Sequence, residues 1–168
     1  MENVTTDYLV RAEIWLCVTT LVYFLMNGAQ VFETIVFVPK WAASPPETLG
    51  LLADKNGVSL KTFWIAFHSL HEVAFMLAIA FCWQLDFVRN WLLVLFAVHF
   101  AVRVWTIVYF APNIMAFERI ATAEGADARS ELGRRAAHWQ TLNYVRVAIF
   151  IAVSIALVPL CIEVLRLR

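Results

Sequence analysis

Residues 59–83 read SLKTFWIAFHSLHEVAFMLAIAFCW. The stretch exceeds the roughly 20 predominantly apolar residues that an α-helix needs to cross the hydrocarbon core of a bilayer, so it reads as a membrane-spanning helix. It nevertheless carries His68, His71 and Glu72. A charge at the bilayer centre costs about 2.5 to 3.5 kcal/mol on insertion scales, and such residues face a bundle interior or a wet cavity. The stretch therefore sets both the architecture and the place to look for chemistry.

Three further apolar runs lie outward from it: Tyr8 to Val38, Val88 to Phe110, and Leu142 to Leu165. The 168-residue chain is 62% hydrophobic and only 15% charged, against roughly 25% charged in a soluble domain. The expectation is an all-α, integral-membrane four-helix bundle forming a single domain. Its helices fall at about 8–38, 59–83, 88–110 and 136–165, with short surface helices in the two longer loops. The acidic start, Met1 to Asp7, lacks the basic region of a signal peptide, so the first run reads as a retained helix. A formal net charge of zero suggests neither nucleic acid nor an anionic surface as partner; the partners expected of so apolar a chain are membrane lipids and a lipophilic small molecule. Cys17, Cys82 and Cys161 are far apart in sequence with no C-x-x-C pair, which reads as small apolar side chains rather than disulfide exchange.

The connections follow from turn and cap chemistry. The first helix is longer than the hydrocarbon core, so it should tilt, protrude or bend near Gly28. Pro39 should stop it, and Ser44-Pro45-Pro46-Glu47 reads as a capped start of a surface helix running to about Lys55. Asn56-Gly57 should end that helix and Ser59 should cap the next. The tight connection at Leu85-Asp86-Phe87 makes the second and third helices antiparallel neighbours. Ala111-Pro112-Asn113 ends the third helix, and Glu118 to Arg135, interrupted by Gly125 and Gly133, reads as one or two amphipathic turns. The side with the longer loops holds seven Lys and Arg against four on the other. The positive-inside rule then places those loops in the cytoplasm, with the protein in the cytoplasmic (inner) membrane.

Walking along each helix from its nearer loop puts the polar residues in one half of the bundle. Glu33 shares a stripe with Gln30 and Asn27. His68 is followed by His71 and Glu72 at three- and four-residue steps, and His99 by Arg103 at four, all same-face spacings. His138, Asn143 and Arg146 flank the entry to the last helix. Glu33, His68, His71, Glu72, His99 and His138 could form a mixed imidazole and carboxylate shell for iron, copper or zinc. Alternatively, the site works without metal: His68, His71 or His99 takes a proton from a lipophilic substrate, and Arg103 or Arg146 stabilises the oxyanion. Trp64, Phe67, Phe75, Trp105, Tyr109, Phe110, Trp139 and Tyr144 would supply apolar walls. The same groups could also simply fasten helices together.

Leu132-Gly133-Arg134-Arg135, followed by His138-Trp139-Gln140-Thr141-Leu142-Asn143-Tyr144-Val145-Arg146, resembles the R…W..LN..R signature of small four-helix membrane proteins of the anthrone oxygenase-like family. Asn27-Gly28-Ala29-Gln30 and Phe32 are similar to the polar, small-residue stripe of that family's first helix. The resemblance implies oxidation of an aromatic polyketide-type substrate, with Trp139, Asn143 and Arg146 at the family-like positions. Glu33, the His68-x-x-His71-Glu72 group and the His99-x-x-x-Arg103 group depart from it.

The leading expectation is a membrane-embedded oxidoreductase, oxygenase-like or isomerase-like, that admits a lipophilic substrate between helices. Trp64, Trp105, Tyr109, Trp139 and Asn143 would contact the substrate, and His68, His71, His99, Arg103 and Arg146 would carry the chemistry. The rivals are an electron-transfer subunit that holds haem or quinone, and a proton- or ion-coupled transporter. With only four helices, the transporter reading requires a homo-oligomer.

Overall fold

The computed structural model describes residues 5–52, 60–120 and 126–167; the side chains of 118–120 and 126–128 lie outside that description. Every regular element among the described residues is helical. In chain order these are α1 (Thr6–Phe32), a π turn (Glu33–Phe37), α2 (Val38–Trp41), a 3₁₀ turn (Leu49–Leu51), α3 (Leu60–Phe81), α4 (Asp86–Trp105), a second π turn (Thr106–Phe110), α5 (Ala111–Ile120) and α6 (Ala126–Leu167). Four stretches are long and apolar enough to cross a membrane: Thr6–Trp41, Leu60–Phe81, Asp86–Phe117 and Arg129–Leu167. Large apolar side chains such as Leu21, Ile65, Val98 and Ile155 are exposed, as a lipid-facing surface requires.

The chain divides into two compact units. The first comprises Met1–Asn27, Lys61–Phe100 and Phe150–Arg168, so segments of α1, α3, α4 and α6 pack together in it. Thr5 starts α1, its hydroxyl oxygen accepting from the Tyr8 N–H at 3.3 Å, because the first N–H groups of a helix have no partner within it. Trp15 stacks on Phe81 at 5.6 Å, and the Thr19 hydroxyl donates to the Ala74 carbonyl at 2.7 Å. Residue numbers rise along α1 as they fall along α3, which makes the pair antiparallel. Phe75 stacks on Phe96 at 5.3 Å and His71 meets His99 at 4.6 Å. This is the antiparallel pairing that the tight connection between α3 and α4 predicts. That connection is held by Tyr8, whose hydroxyl oxygen accepts from the Gln84 N–H at 2.8 Å, and by Arg89, which donates to the Trp83 carbonyl at 2.9 Å.

The second unit, Gly28–Leu60 and Ala101–Ile149, is built on a core of Val38, Trp41, Leu49, Phe110, Phe117, Leu132, Ala136 and Trp139. Trp41 sits at its centre, 5.1 Å from Trp139 and 5.9 Å from Phe117.

Several boundaries differ from the sequence expectation. α1 continues without a break in helix through Gly28, and Pro39 does not stop the first span. A proline ring clashes with the carbonyl four residues back and offers no N–H. Here the Val38 N–H reaches the Glu33 carbonyl in a π turn, and Pro39 falls in the first turn of α2, where no N–H is needed. The third span uses the same device. The Ala111 N–H bonds the Thr106 carbonyl, and Pro112 opens α5, so Ala111-Pro112-Asn113 is helix rather than loop.

The last helix begins at Ala126 and continues through Gly133. Leu132 and Ala136 are buried in the core on either side of that glycine, which offsets the roughly 1 kcal/mol cost of glycine in a helix. Of the expected surface helix from Ser44, only the turn at Leu49–Leu51 forms within the described residues. Thr48 takes over there, accepting from the Ser44 N–H at 3.2 Å and donating to the Trp41 carbonyl at 2.7 Å. Asn56, Gly57, Ser59 and Gly125 lie outside the described residues. The three cysteines are free, but they are not all remote from one another: the Cys17 and Cys161 thiols lie close enough to interact.

Candidate functional site

In the first unit the buried polar groups gather around Tyr23, on α1. Its side chain and those of His71 and His99 are fully buried. The Tyr23 hydroxyl lies 2.9 Å from His99 Nδ1, and its ring meets His71 edge-on at 4.0 Å. On the other side of the same imidazole, His99 Nε2 lies 3.9 Å from the Glu72 carboxylate. Glu72 is the outer member, with a third of its side chain exposed. The arrangement that satisfies both contacts has Tyr23 donating to Nδ1 and the Nε2 proton directed at Glu72. Tyr23, His99 and Glu72 thus form a line from a sealed hydroxyl to an accessible carboxylate.

Helix periodicity explains the alignment. His68 and His71, three residues apart, both point inward from α3, while Glu72 sits at the edge of that face. His68 packs between Trp64 at 5.5 Å and Phe150 at 6.3 Å. Phe75, Phe96 and Phe150 surround His99 at 6.2, 6.1 and 5.6 Å. Tyr23 and Glu72 approach the two nitrogens of this imidazole, and the His71 ring lies 4.6 Å from it, centroid to centroid.

In the second unit, Arg146 is buried, with its guanidinium 4.6 Å above the Phe110 ring. Glu33 and Arg103 both act on it electrostatically. Asn143, one turn earlier and fully buried, donates to the Thr34 hydroxyl at 2.9 Å. The Trp139 indole donates to the Phe110 carbonyl at 3.2 Å, and Arg135 donates to the Asn113 side chain at 3.1 Å. The spacing of Arg135, Trp139, Asn143 and Arg146 therefore places each residue against a different part of the two π-turn helices.

No family model, curated protein or solved structure matches the chain.

The sequence-predicted residues resolve into two groups, each within its own unit. His68, His71, Glu72, His99 and Trp64 belong to the first, and Glu33, Arg103, Trp105, Tyr109, Trp139, Asn143 and Arg146 to the second. His138, expected as a buried ligand, is exposed, with its ring edge-on to Tyr109 at 6.4 Å. Tyr144 is exposed as well and forms no apolar wall; its hydroxyl accepts from Gln140 at 3.3 Å. Among the described residues, no group of three or more His, Cys, Asp or Glu is arranged to hold a metal ion.

Tyr23 was missed by the sequence reading. The available signal was its place on the stripe Thr19, Tyr23, Asn27, Gln30, Thr34, at steps of four, four, three and four, all buried.

Proposed function

We propose that the protein is a membrane-embedded oxidoreductase of the oxygenase type. It acts on a lipophilic aromatic substrate by acid–base chemistry at Glu72, His99 and Tyr23. The observation that carries this reading is the Tyr23 to His99 contact at 2.9 Å with Glu72 on the opposite nitrogen. A carboxylate backed by an imidazole, itself fixed by a third group, is a general base held ready in an apolar site. The resemblance of the last helix to the anthrone oxygenase-like signature supplies the substrate class.

The chemistry balances with dioxygen as the oxidant. An aromatic ketone of the anthrone type carries a ring CH2 whose protons are acidified by delocalisation across the ring system. Glu72, the accessible end, takes one of them. The carbanion passes its electrons to dioxygen, forming a C–O bond; the first proton is returned through His99 to the outer oxygen, and the second C–H proton leaves as the C=O forms and the O–O bond breaks, so that both protons end in the water. The CH2 becomes C=O, and one dioxygen yields the carbonyl oxygen and one water. Tyr23 keeps the His99 ring in the tautomer that presents Nε2 to Glu72, so it is a positioning residue.

The test is conversion of anthrone to anthraquinone by protein in nanodiscs, followed by quinone absorbance and oxygen uptake. Glu72→Gln and His99→Gln should each lower turnover by about 10²- to 10⁴-fold, the range for loss of a general base. Tyr23→Phe should retain more activity and shift the pH profile. Turnover unchanged in Glu72→Gln, or absent from the intact protein, would overturn the reading.

A further inference from the structure

A phenol sealed in an apolar site gives up an electron only when its proton has a place to go. Loss of the electron alone leaves a radical cation, and an uncompensated charge away from water is strongly disfavoured. Tyr23 is fully buried, and its hydroxyl lies 2.9 Å from His99 Nδ1. An imidazole accepts a proton on one nitrogen and releases one from the other. Here the other, Nε2, lies 3.9 Å from the carboxylate of Glu72, whose side chain is a third exposed. A small rotation of that outer side chain brings it to hydrogen-bond length. The phenol ring is enclosed as well: His71 meets it edge-on at 4.0 Å, with Phe75 at 6.0 Å and Phe150 at 6.4 Å. Tyr8, the other tyrosine of the unit, is about 22 Å away along α1 at 1.5 Å per residue, so two phenoxyl rings cannot couple.

An oxidant for this phenol must reach Glu72 from within a span and take up a proton on oxygen together with the electron. α3 is long and apolar enough to cross a membrane, so the oxidant is one that dissolves among acyl chains. Quinones dissolve there but oxidise phenols too weakly; peroxyl radicals, formed when lipid carbon radicals meet dioxygen, oxidise them readily. We propose that Tyr23 is a one-electron donor that reduces lipid peroxyl radicals to hydroperoxides, its proton leaving through His99 and Glu72. The phenolic O–H breaks and its proton moves to Nδ1, the Nε2 proton moves to Glu72, and Glu72 passes a proton to the outer peroxyl oxygen. The electron crosses the His99 ring, 5.8 Å from that of Tyr23 centroid to centroid. One peroxyl radical becomes one hydroperoxide and Tyr23 becomes a neutral phenoxyl radical, with His99 now protonated on Nδ1 and no charge added to the site. This activity rests on the contacts used in the oxygenase reading and needs none of its substrate.

The full chain in nanodiscs of a polyunsaturated phosphatidylcholine, without anthrone and with a lipid-soluble azo initiator supplying peroxyl radicals under air, tests this. Conjugated-diene absorbance should show an induction period that lengthens in proportion to protein, and Tyr23→Phe should lose it. Samples frozen within that period should give the electron paramagnetic resonance spectrum of a neutral tyrosyl radical, coupled to a nitrogen of nitrogen-15 histidine-labelled protein. His99→Gln should lower the radical yield at least about tenfold, since proton transfer to a placed base contributes that or more. Of the four tyrosines, the combined Tyr8→Phe, Tyr109→Phe and Tyr144→Phe variant keeps Tyr23 alone and should retain the signal, which decides the matter even if Tyr23→Phe fails to fold. No radical, a radical confined to the other tyrosines, or one on Tyr23 with no coupling to histidine overturns the proposal, as does an induction period unchanged in Tyr23→Phe. The radical in protein that fails to convert anthrone supports this activity and sinks the oxygenase reading; anthrone turnover without the radical does the reverse.

Discussion

Trp139 and Asn143 stood in the sequence as candidate substrate contacts, yet each spends its polar group on a neighbouring helix. The indole donates to the Phe110 carbonyl and the amide to the Thr34 hydroxyl. Hydrogen bonds between membrane helices are worth about 0.6 kcal/mol on average and up to about 1.7. Asn143→Ala should therefore destabilise the folded protein within that range, read as a lowered unfolding midpoint in a denaturing-detergent titration.

Cys82 gives a pH-dependent counterpart. It is buried just beyond the end of the second span, and burial pushes its thiol up to about 12 from an ordinary 9.0. A thiol raised in the folded state contributes stability that is fully present below the unfolded value and is lost as pH rises through the folded one. The thermal midpoint should fall between about pH 9 and 12, and the fall should be smaller in Cys82→Ala. At this scale the inward histidines of α3 were legible, because spacings of three and four fix a helix face. Tyr23 was not, because an isolated tyrosine in an apolar run has the same pattern as a packing residue; only the fold brings His99 to it. His138 failed for the converse reason: position near a helix entry does not settle which face a residue takes.

The two π turns show how an element outlasts the residue that should end it. Thr34-Ile35-Val36-Phe37-Val38-Pro39 and Thr106-Ile107-Val108-Tyr109-Phe110-Ala111-Pro112 share a β-branched run ending in Phe-x-Pro. In water a proline is a natural stop. In a bilayer no solvent exists to satisfy freed carbonyls, so the helix adjusts its ladder and continues. A π turn holds one residue more than the α-helix needs, so removing one restores regular winding without turning the faces beyond it. Deletion of exposed Val108 combined with Pro112→Ala should keep a folded yield near wild type. Deletion of Val102, in regular α4, rotates every later residue by about 100° and should abolish it. The packing of α1 on α6 is testable by the Cys17 and Cys161 pair. Mild oxidation with copper phenanthroline should form an intramolecular disulfide, detected as a tryptic cross-link that Cys161→Ser removes. Failure to form it in folded protein would contradict the pairing. Sequence separation concealed this contact, since antiparallel packing joins the first helix to the last.

For the molecule as a whole, the four candidate spans and the all-helical architecture of the described residues were legible from hydrophobicity and length alone, because the bilayer imposes both. The grouping of the polar residues was only partly legible. Sequence gives position along each helix but not rotation about the helix axis, and rotation separates buried His71 and His99 from exposed His138. Both nitrogens of His99 lie against protein groups, Tyr23 and Glu72. Chelation should accordingly leave anthrone turnover unchanged, whereas a rate restored only by added iron, copper or zinc would require a metal mechanism. The central claim is that His99 links the sealed hydroxyl of Tyr23 to the accessible carboxylate of Glu72. The nitrogen-15 NMR spectrum of histidine-labelled protein, assigned with His99→Gln, tests it most directly. The account predicts His99 with Nε2 protonated and Nδ1 bare, the Nδ1 resonance moving in Tyr23→Phe and the Nε2 resonance in Glu72→Gln. A His99 protonated on Nδ1, with resonances indifferent to both substitutions, would contradict it.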